Sequence, residues 1–264
     1  MQGRAKSRAN DTMDIGILAP VVIFAVSFLF PMLGAGGSQL FVPALLWMGM
    51  DFKTEVIPLA LFLNLISSAS ASFVYRRAKL IVWRTALPFA LCAVAVAPLG
   101  AWASAGLPQR PLIAVFATLT FLGASIVATG WRPKASPKSR KGKMAFGAAG
   151  GGAFGFVTAL VGYGGGGLAV PMLQARGLDP KSAAGTSLFI VLCSTLAAFA
   201  SHISYAASPD WSIWAPCIVA ALIGSQCGSR LMAAKLDPLA VRLLFAAVLG
   251  AVALALLINN VILA

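Results

Sequence analysis

The groups in this chain best suited to recognition carry no charge. Two glycine clusters, Gly34 to Gly37 and Gly162 to Gly167, each precede a short apolar stretch with a Val-Pro pair, Val42-Pro43 or Val170-Pro171. The polar side chains nearby are Ser38, Gln39, Asn64, Ser67 and Ser68 in the first half and Thr186, Ser187, Ser194 and Thr195 in the second. Each glycine weakens a helix by about 1 kcal/mol, so clusters this dense predict irregular backbone. A helix that starts after such a break presents free amide N–H groups at the positive end of its dipole, which favours an anion. The expected chemistry is binding of a small anion by Gly34, Gly36, Gly37, Ser38, Gln39 and Asn64 from one side. Gly162, Gly164, Gly165, Gly166, Gly167, Thr186 and Ser187 complete the set from the other.

Other chemistries find little support. Gly162 to Gly167 matches G-x-G-x-x-G, but the dinucleotide fingerprint needs a preceding strand within an α/β unit, and this stretch lies between long apolar runs. Cys92, Cys193, Cys217 and Cys227 have no paired spacing and read as small buried residues, with no metal or cofactor implied. Serine and threonine in apolar helices often bond back to their own backbone, so Ser67, Ser68, Ser194 and Thr195 are weaker candidates singly. His202, next to Tyr205, is the one group that titrates near neutral pH. It could be a proton-coupling group or a structural one.

The elements that must position these residues are apolar throughout. Of 264 residues, 59% are hydrophobic and 10% charged, whereas soluble domains carry about a quarter charged residues. A bilayer core takes about 20 apolar residues in a helix. Eight uncharged runs reach roughly that length: Ile15 to Leu33, Val56 to Tyr75, Thr85 to Gln109, Pro111 to Trp131, Met144 to Val161, Ser182 to Ser201, Trp211 to Ser229 and Leu243 to Leu263. The first follows Arg4, Lys6 and Arg8 but is too long for a secretory signal and is read as retained. All seven acids lie outside these runs or at their edges. The 20 Lys and Arg fall in the gaps, as in loops beside membrane spans, which argues against nucleic acid as a partner.

Shifted by 128 residues, the chain matches itself. GAGGSQLFVPALLWMGMDFK (Gly34 to Lys53) aligns with GYGGGGLAVPMLQARGLDPK (Gly162 to Lys181) without a gap and with ten identities. Duplication with interrupted apolar segments in matching places is the mark of a secondary transporter. Gly167 to Arg176 would make about 15 Å of helix, too short for a core of about 30 Å, so this segment and its counterpart are read as re-entrant half-helices. Glycine pairs Gly151/Gly155 and Gly224/Gly228 have the spacing of close helix packing. The expected fold is all-α and polytopic: about eight transmembrane helices plus two re-entrant glycine-rich half-helices, built as an internal duplication. Its parts are a cytoplasmic tail (1–14), a first repeat (15–131), a basic linker (132–143) and a second repeat (144–264).

Orientation stays open at this level. Eight spans with the N-terminus inside place 13 Lys and Arg inside and 7 outside. Ten spans with the N-terminus outside give 15 against 5 and inverted halves.

The duplicated stretch ending in Val-Pro, the following Gly49 or Gly177, and the run Lys181-Ser182-Ala183-Ala184-Gly185-Thr186-Ser187 resemble the sulfite exporter TauE/SafE family, also called the toluene-sulfonate uptake permeases. The resemblance covers Ile15 to Asn260. It implies a multi-pass permease of the bacterial inner membrane, not an enzyme, that moves sulfite, organosulfonates or related small anions and needs no cofactor. The lipid bilayer and the anion are the partners implied; a homo-oligomer is compatible with the sequence. A passive anion channel and a membrane enzyme acting on lipid phosphates are the alternatives, the latter poorly served by a chain without buried acids. The first cluster departs from the glycine pattern at Ser38 and Gln39, and Glu55 and Pro58 stand where the second repeat has Ala183 and Thr186.

Overall fold

The computed structural model describes residues 18–130, 140–164, 166–234 and 238–258. These residues are helical, with no strand among them. Ten helices follow in order: α1 (Leu18–Leu33, its last turn 3-10), α2 (Ser38–Trp47), α3 (Ile57–Arg77, preceded by a π turn Phe52–Val56), α4 (Trp83–Gly106), α5 (Gln109–Thr129), α6 (Arg140–Val161), α7 (Gly166–Ala175), α8 (Pro180–His202), α9 (Trp211–Ala234) and α10 (Pro238–Leu257). Five are long and apolar enough to cross a membrane: α3 with its π turn, α4, α5, α8 and α9. The other three of the eight expected spans are helices whose described apolar parts are shorter: Leu18–Leu33, Ala145–Val161 and Ala246–Leu256.

The duplication sets the helix boundaries. Ser38 and Gly166 open the two short helices and Trp83 and Trp211 open α4 and α9, each pair 128 residues apart. Gly34 and Gly162 leave the preceding helix with φ of 81° and 70°, and Gly49 and Gly177 leave the short helix with φ of 85° and 89°. Only glycine adopts these left-handed conformations without a steric cost. Asp51 then caps the π turn, its carboxylate accepting from the amides of Lys53 (3.1 Å) and Thr54 (2.9 Å), and Asp179 caps α8 by accepting from the Ser182 amide (3.0 Å). Bonds from Thr54 hold the Asp51 carboxyl below its ordinary value, and bonds from Ser182 do the same for Asp179.

Pro43 and Pro171 lie inside α2 and α7. Proline supplies no N–H, so the carbonyls four residues earlier, those of Gln39 and Gly167, lose their intrahelical donor. Each short helix thus keeps extra unpaired backbone next to its glycine cluster.

Contacts between equivalent helices fix the relation of the two halves. Along α3 and α8, Phe62 meets Phe199 (ring centroids 5.2 Å apart), Asn64 meets Thr195, and Tyr75 meets Gly185. One number rises while the other falls, so these helices run antiparallel. By contrast α6 runs parallel to α4, with Gly151 against the Phe89 carbonyl and Gly155 against that of Ala93. In the same way α1 runs parallel to α9, Gly224 facing Phe24 and Gly228 facing Phe28. A methyl group on any of these four glycines would collide with a backbone carbonyl, which makes them sites of close helix approach. Gly100 meets the carbonyl of Phe156 as Gly228 meets that of Phe28, and both pairs of partners are 128 residues apart. The halves are therefore inverted repeats, with α3 against α8 and α5 against α10 at the centre.

Each repeat opens with a hairpin that turns back inside the bundle. Tyr75, near the end of α3, donates to the Pro31 carbonyl at the end of α1 (3.1 Å). The chain then reverses: Gly36 lies beside Asn64, and Val42 and Ile57 both sit 3.6 Å from a methyl built on Gly162. So α2 runs back toward the end from which α1 set out. The second repeat mirrors this, with His202 at the end of α8 hydrogen-bonded to the Ala159 carbonyl near the end of α6 (2.6 Å). Both short helices begin near the middle of the bundle.

Candidate functional site

The two hairpin tips cross at mid-bundle, and their glycines permit it. A methyl on Gly36 would strike the Asn64 amide, one on Gly164 would strike the Ser38 hydroxyl and lie 2.7 Å from Asn64 Nδ2, and one on Gly166 would strike Ala35 and the Gly34 carbonyl. A methyl on Gly34 would likewise lie 2.5 Å from the Ala184 Cα. The first tip is thus wedged against both the second tip and α8.

Four polar side chains converge there. Ser38 is the first residue of α2 and Gln39 the second, following Gly37 in the left-handed region (φ 105°), a helix start with no side-chain cap. Their amides belong to the first turn and have no helical partner. Both side chains are buried; the Ser38 hydroxyl has no hydrogen-bond partner, and neither atom of the Gln39 amide makes a hydrogen bond of good geometry. Gln39 Nε2 lies 3.0 Å from the methyl position of Gly167. Asn64, at the middle of α3, donates from Nδ2 to Thr195 Oγ1 of α8 (3.0 Å), while its Oδ1 is unpartnered. One turn on, the buried hydroxyl of Ser67 is unpartnered too. An orphaned buried polar atom costs about 1–3 kcal/mol, and native structures hold few of them. So many at one crossing make it the candidate site.

The remaining residues of the expected set divide. Ser187 donates to the Gly34 carbonyl (2.8 Å) and holds the first tip in place. Thr186 Oγ1 accepts from the Val82 amide (3.0 Å), which fixes the α3–α4 connection and keeps that oxygen out of the crossing. Gly162 is lined by aliphatic carbons of Ile57 and Val42, and Gly37 faces the Phe41 ring; both serve the turn. Gly165 lies outside the described residues, as does the structure at Tyr205's side chain. Ser68 bonds back to the Asn64 carbonyl and Ser194 to that of Val191. The Tyr163 hydroxyl, which the sequence gave no reason to single out, donates to the Leu119 carbonyl (2.9 Å) beside Gly123 and anchors the second tip on α5.

The cluster contains no ionisable side chain. Among the described residues no three or more His, Cys, Asp or Glu come together. What it offers is two inward-pointing helix starts, hydroxyls and amides. These groups can donate several hydrogen bonds to one small acceptor-rich solute without a fixed counter-charge.

The model of the sulfite exporter TauE/SafE family matches residues 19–256. The chain belongs to that family. A probable membrane transporter protein of Sinorhizobium fredii (strain NBRC 101917 / NGR234), y4hK, is 27% identical over 234 residues, covering 85% of this chain and 92% of the relative. No solved structure matches. With five helices able to cross a membrane, this TauE/SafE family member is a multi-pass membrane protein of the transporter class. The family match spans both inverted repeats and both hairpin tips, so the crossing belongs to the part of the chain that defines the family member.

Proposed function

We propose that this protein is a secondary transporter of small sulfur-containing anions, sulfite or an organosulfonate, in the bacterial inner membrane. In this reading the hairpins α1–α2 and α6–α7 each enter and leave on one face, so that each repeat crosses the bilayer an odd number of times as inversion requires, and the anion sits where the N-termini of α2 and α7 meet. The reading rests on one observation: two inverted, interrupted hairpins bring Ser38, Gln39 and Asn64 together with unpartnered polar atoms at mid-bundle. Inverted repeats with broken helices at their interface are the usual architecture for alternating access. Irregular backbone at membrane depth is tolerated only in protein or beside a wet cavity. The tightly wedged tips suit an occluded state of a carrier better than an open pore.

The test has two stages. Thermal unfolding of the purified protein is followed with sulfite, sulfonates, sulfate, phosphate and carboxylates; a bound ligand at 100 times its Kd stabilises by about 2.7 kcal/mol. A sulfur anion is expected to stabilise most. Proteoliposomes then distinguish accumulation driven by a proton or voltage gradient from simple equilibration. Stabilisation by carboxylates alone would refute the substrate class, and gradient-independent equilibration would make the protein a channel.

A further inference from the structure

The unpartnered polar atoms do not stop at the crossing. On α3, Asn64, Ser67 and Ser70 follow at three-residue steps, each almost one turn nearer the end of that helix and each turned about 60° around it. Ser67 is fully buried and Ser70 is 8% exposed. Both hydroxyls lack a partner, as does Oε1 of Gln226 on α9. Gln226 reaches α3 directly, its Nε2 donating to the Ser70 carbonyl at 3.3 Å. A broken line of hydrogen-bonding groups therefore leads from Asn64 toward the end of the bundle where α3 and α9 finish.

The inverted repeat supplies an internal comparison. Shifted by 128 residues, Ser67, Ser70 and Gln226 correspond to Thr195, Ala198 and Pro98. Thr195 is already engaged with Asn64, and the other two carry no side-chain polar group. The line is one-sided in a fold whose backbone is two-fold.

Charge is one-sided in the same sense. The end where α3 and α9 finish carries the exposed residues Arg76, Arg77, Lys79, Arg84 and Arg230. The sequence that follows α5 and opens α6 adds six more Lys and Arg between 132 and 143. At the other end lie Lys53 and Arg110 with Asp51, Glu55 and Asp210, and the segment before α1 brings Arg4, Lys6 and Arg8 with Asp11 and Asp14. Lys and Arg are retained on the cytoplasmic side of a membrane protein, so this basic end faces the cytoplasm and α1 starts from the opposite face, not from the cytoplasmic side expected for the 1–14 tail. A field of one sign also raises the local concentration of anions.

We propose that Ser67, Ser70 and Gln226 form the cytoplasmic limb of the substrate path, a hydroxyl-and-amide lane along which an anion passes between the basic rim and Asn64. The proposal rests on the crossing being the transport site and adds the route, its side and its residues. Hydroxyls donate to successive oxygens of the anion as it moves. The Gln226 amide turns to present N–H or oxygen. With the path closed these groups are left unpartnered, and they are satisfied by water or anion when it opens.

The test is side-specific labelling of single cysteines. Cys92, Cys193, Cys217 and Cys227 are replaced by alanine, and Ser70→Cys, Gln226→Cys, Ala198→Cys and Arg77→Cys are introduced one at a time. A negatively charged, membrane-impermeant methanethiosulfonate is applied to inside-out and right-side-out vesicles. Ser70→Cys and Gln226→Cys are expected to react at least about ten-fold faster in inside-out vesicles, because only a hydrated thiol ionises readily, and sulfite should slow the reaction. Arg77→Cys should react in inside-out vesicles alone, and Ala198→Cys in neither. Ala198→Cys labelling as fast as Ser70→Cys would overturn the one-sided lane. Arg77→Cys reacting from the opposite face would overturn the orientation. If Ser70→Cys does not accumulate in the membrane, Gln226→Cys on the other helix decides alone. Labelling needs no flux, so loss of the lane with Ser38-dependent sulfite transport intact would remove this proposal and leave the central site standing; the expected labelling without sulfite protection would do the same.

Discussion

Asn64 Nδ2 donates to Thr195 Oγ1 at 3.0 Å, joining the middle of α3 to the middle of α8 across the boundary between the repeats. Methyls built on Gly36 and Gly164, one in each hairpin tip, would strike the same amide. One side chain thus senses both halves and the proposed anion at once.

Asn64→Asp should therefore be the most damaging conservative change at the crossing. It keeps the size but puts negative charge among groups arranged for an anion and forfeits the donated bond. Sulfite flux in proteoliposomes is expected to fall more than ten-fold, since loss of about 1.4 kcal/mol or more of binding is ten-fold or more. Flux within two-fold of the parent would count against the site. Thr186→Val is the control: it should lower the unfolding temperature through the Val82 amide yet leave the apparent affinity for sulfite unchanged.

Glycine positions separate by what a methyl group would meet. Gly36→Ala drives carbon into the Asn64 amide, whereas Gly106→Ala at the end of α4 meets nothing within 4 Å. Gly36→Ala should abolish flux at preserved membrane yield, and Gly106→Ala should match the parent in both. Gly228→Ala collides with the Phe28 carbonyl, so its defect should appear as lower yield and melting temperature.

The helix caps give a pH dependence of defined sign. Asp51 and Asp179 have carboxyl pKa values below their unfolded ones, so their stabilisation is in place above about pH 4, the unfolded carboxylate range, and is lost as pH falls through the folded values. Between pH 6 and 8 they should contribute a constant amount. Asp51→Ala and Asp179→Ala should each cost about 1 kcal/mol at pH 7, with the difference from the parent narrowing as the pH is lowered below about 4. Melting curves at pH 7 and pH 3 check this.

His202 is read from the structure as a strut. It is buried, with Nε2 2.6 Å from the Ala159 carbonyl, and so ties the end of α8 to α6 just before the second tip. His202→Gln keeps a donor there and should retain flux with an unchanged pH profile. A pH profile that flattens in His202→Gln would restore the coupling role that the sequence left open.

Much of the architecture was legible in advance because it is local. A short helix where one was expected, from Gly167 to Arg176, is found at Gly166–Ala175, bounded by glycine at both ends. The close-packing reading of Gly151, Gly155, Gly224 and Gly228 also agrees with the structure. The direction of the repeats was not legible, since charge counting admitted both parallel and inverted halves. Antiparallel contact pairs a rising number with a falling one, as Phe62 with Phe199 and Tyr75 with Gly185, and no linear offset reveals it. The Asn64–Thr195 bond was hidden for the same reason: the partners are not equivalent positions. A hydroxyl beside a glycine cluster in sequence can face a different loop in space, as Thr186 faces the Val82 amide.

The parallel helix pairs have an implication for ancestry. Because α4 of one half lies on α6 of the other, and α9 on α1, a half-length protein of this kind could complete its packing only by pairing with a sibling inserted upside down. Fusing two such siblings end to end makes that opposite insertion a property of one polypeptide, after which the two copies were free to diverge, serine and glutamine on one arm and glycine on the other.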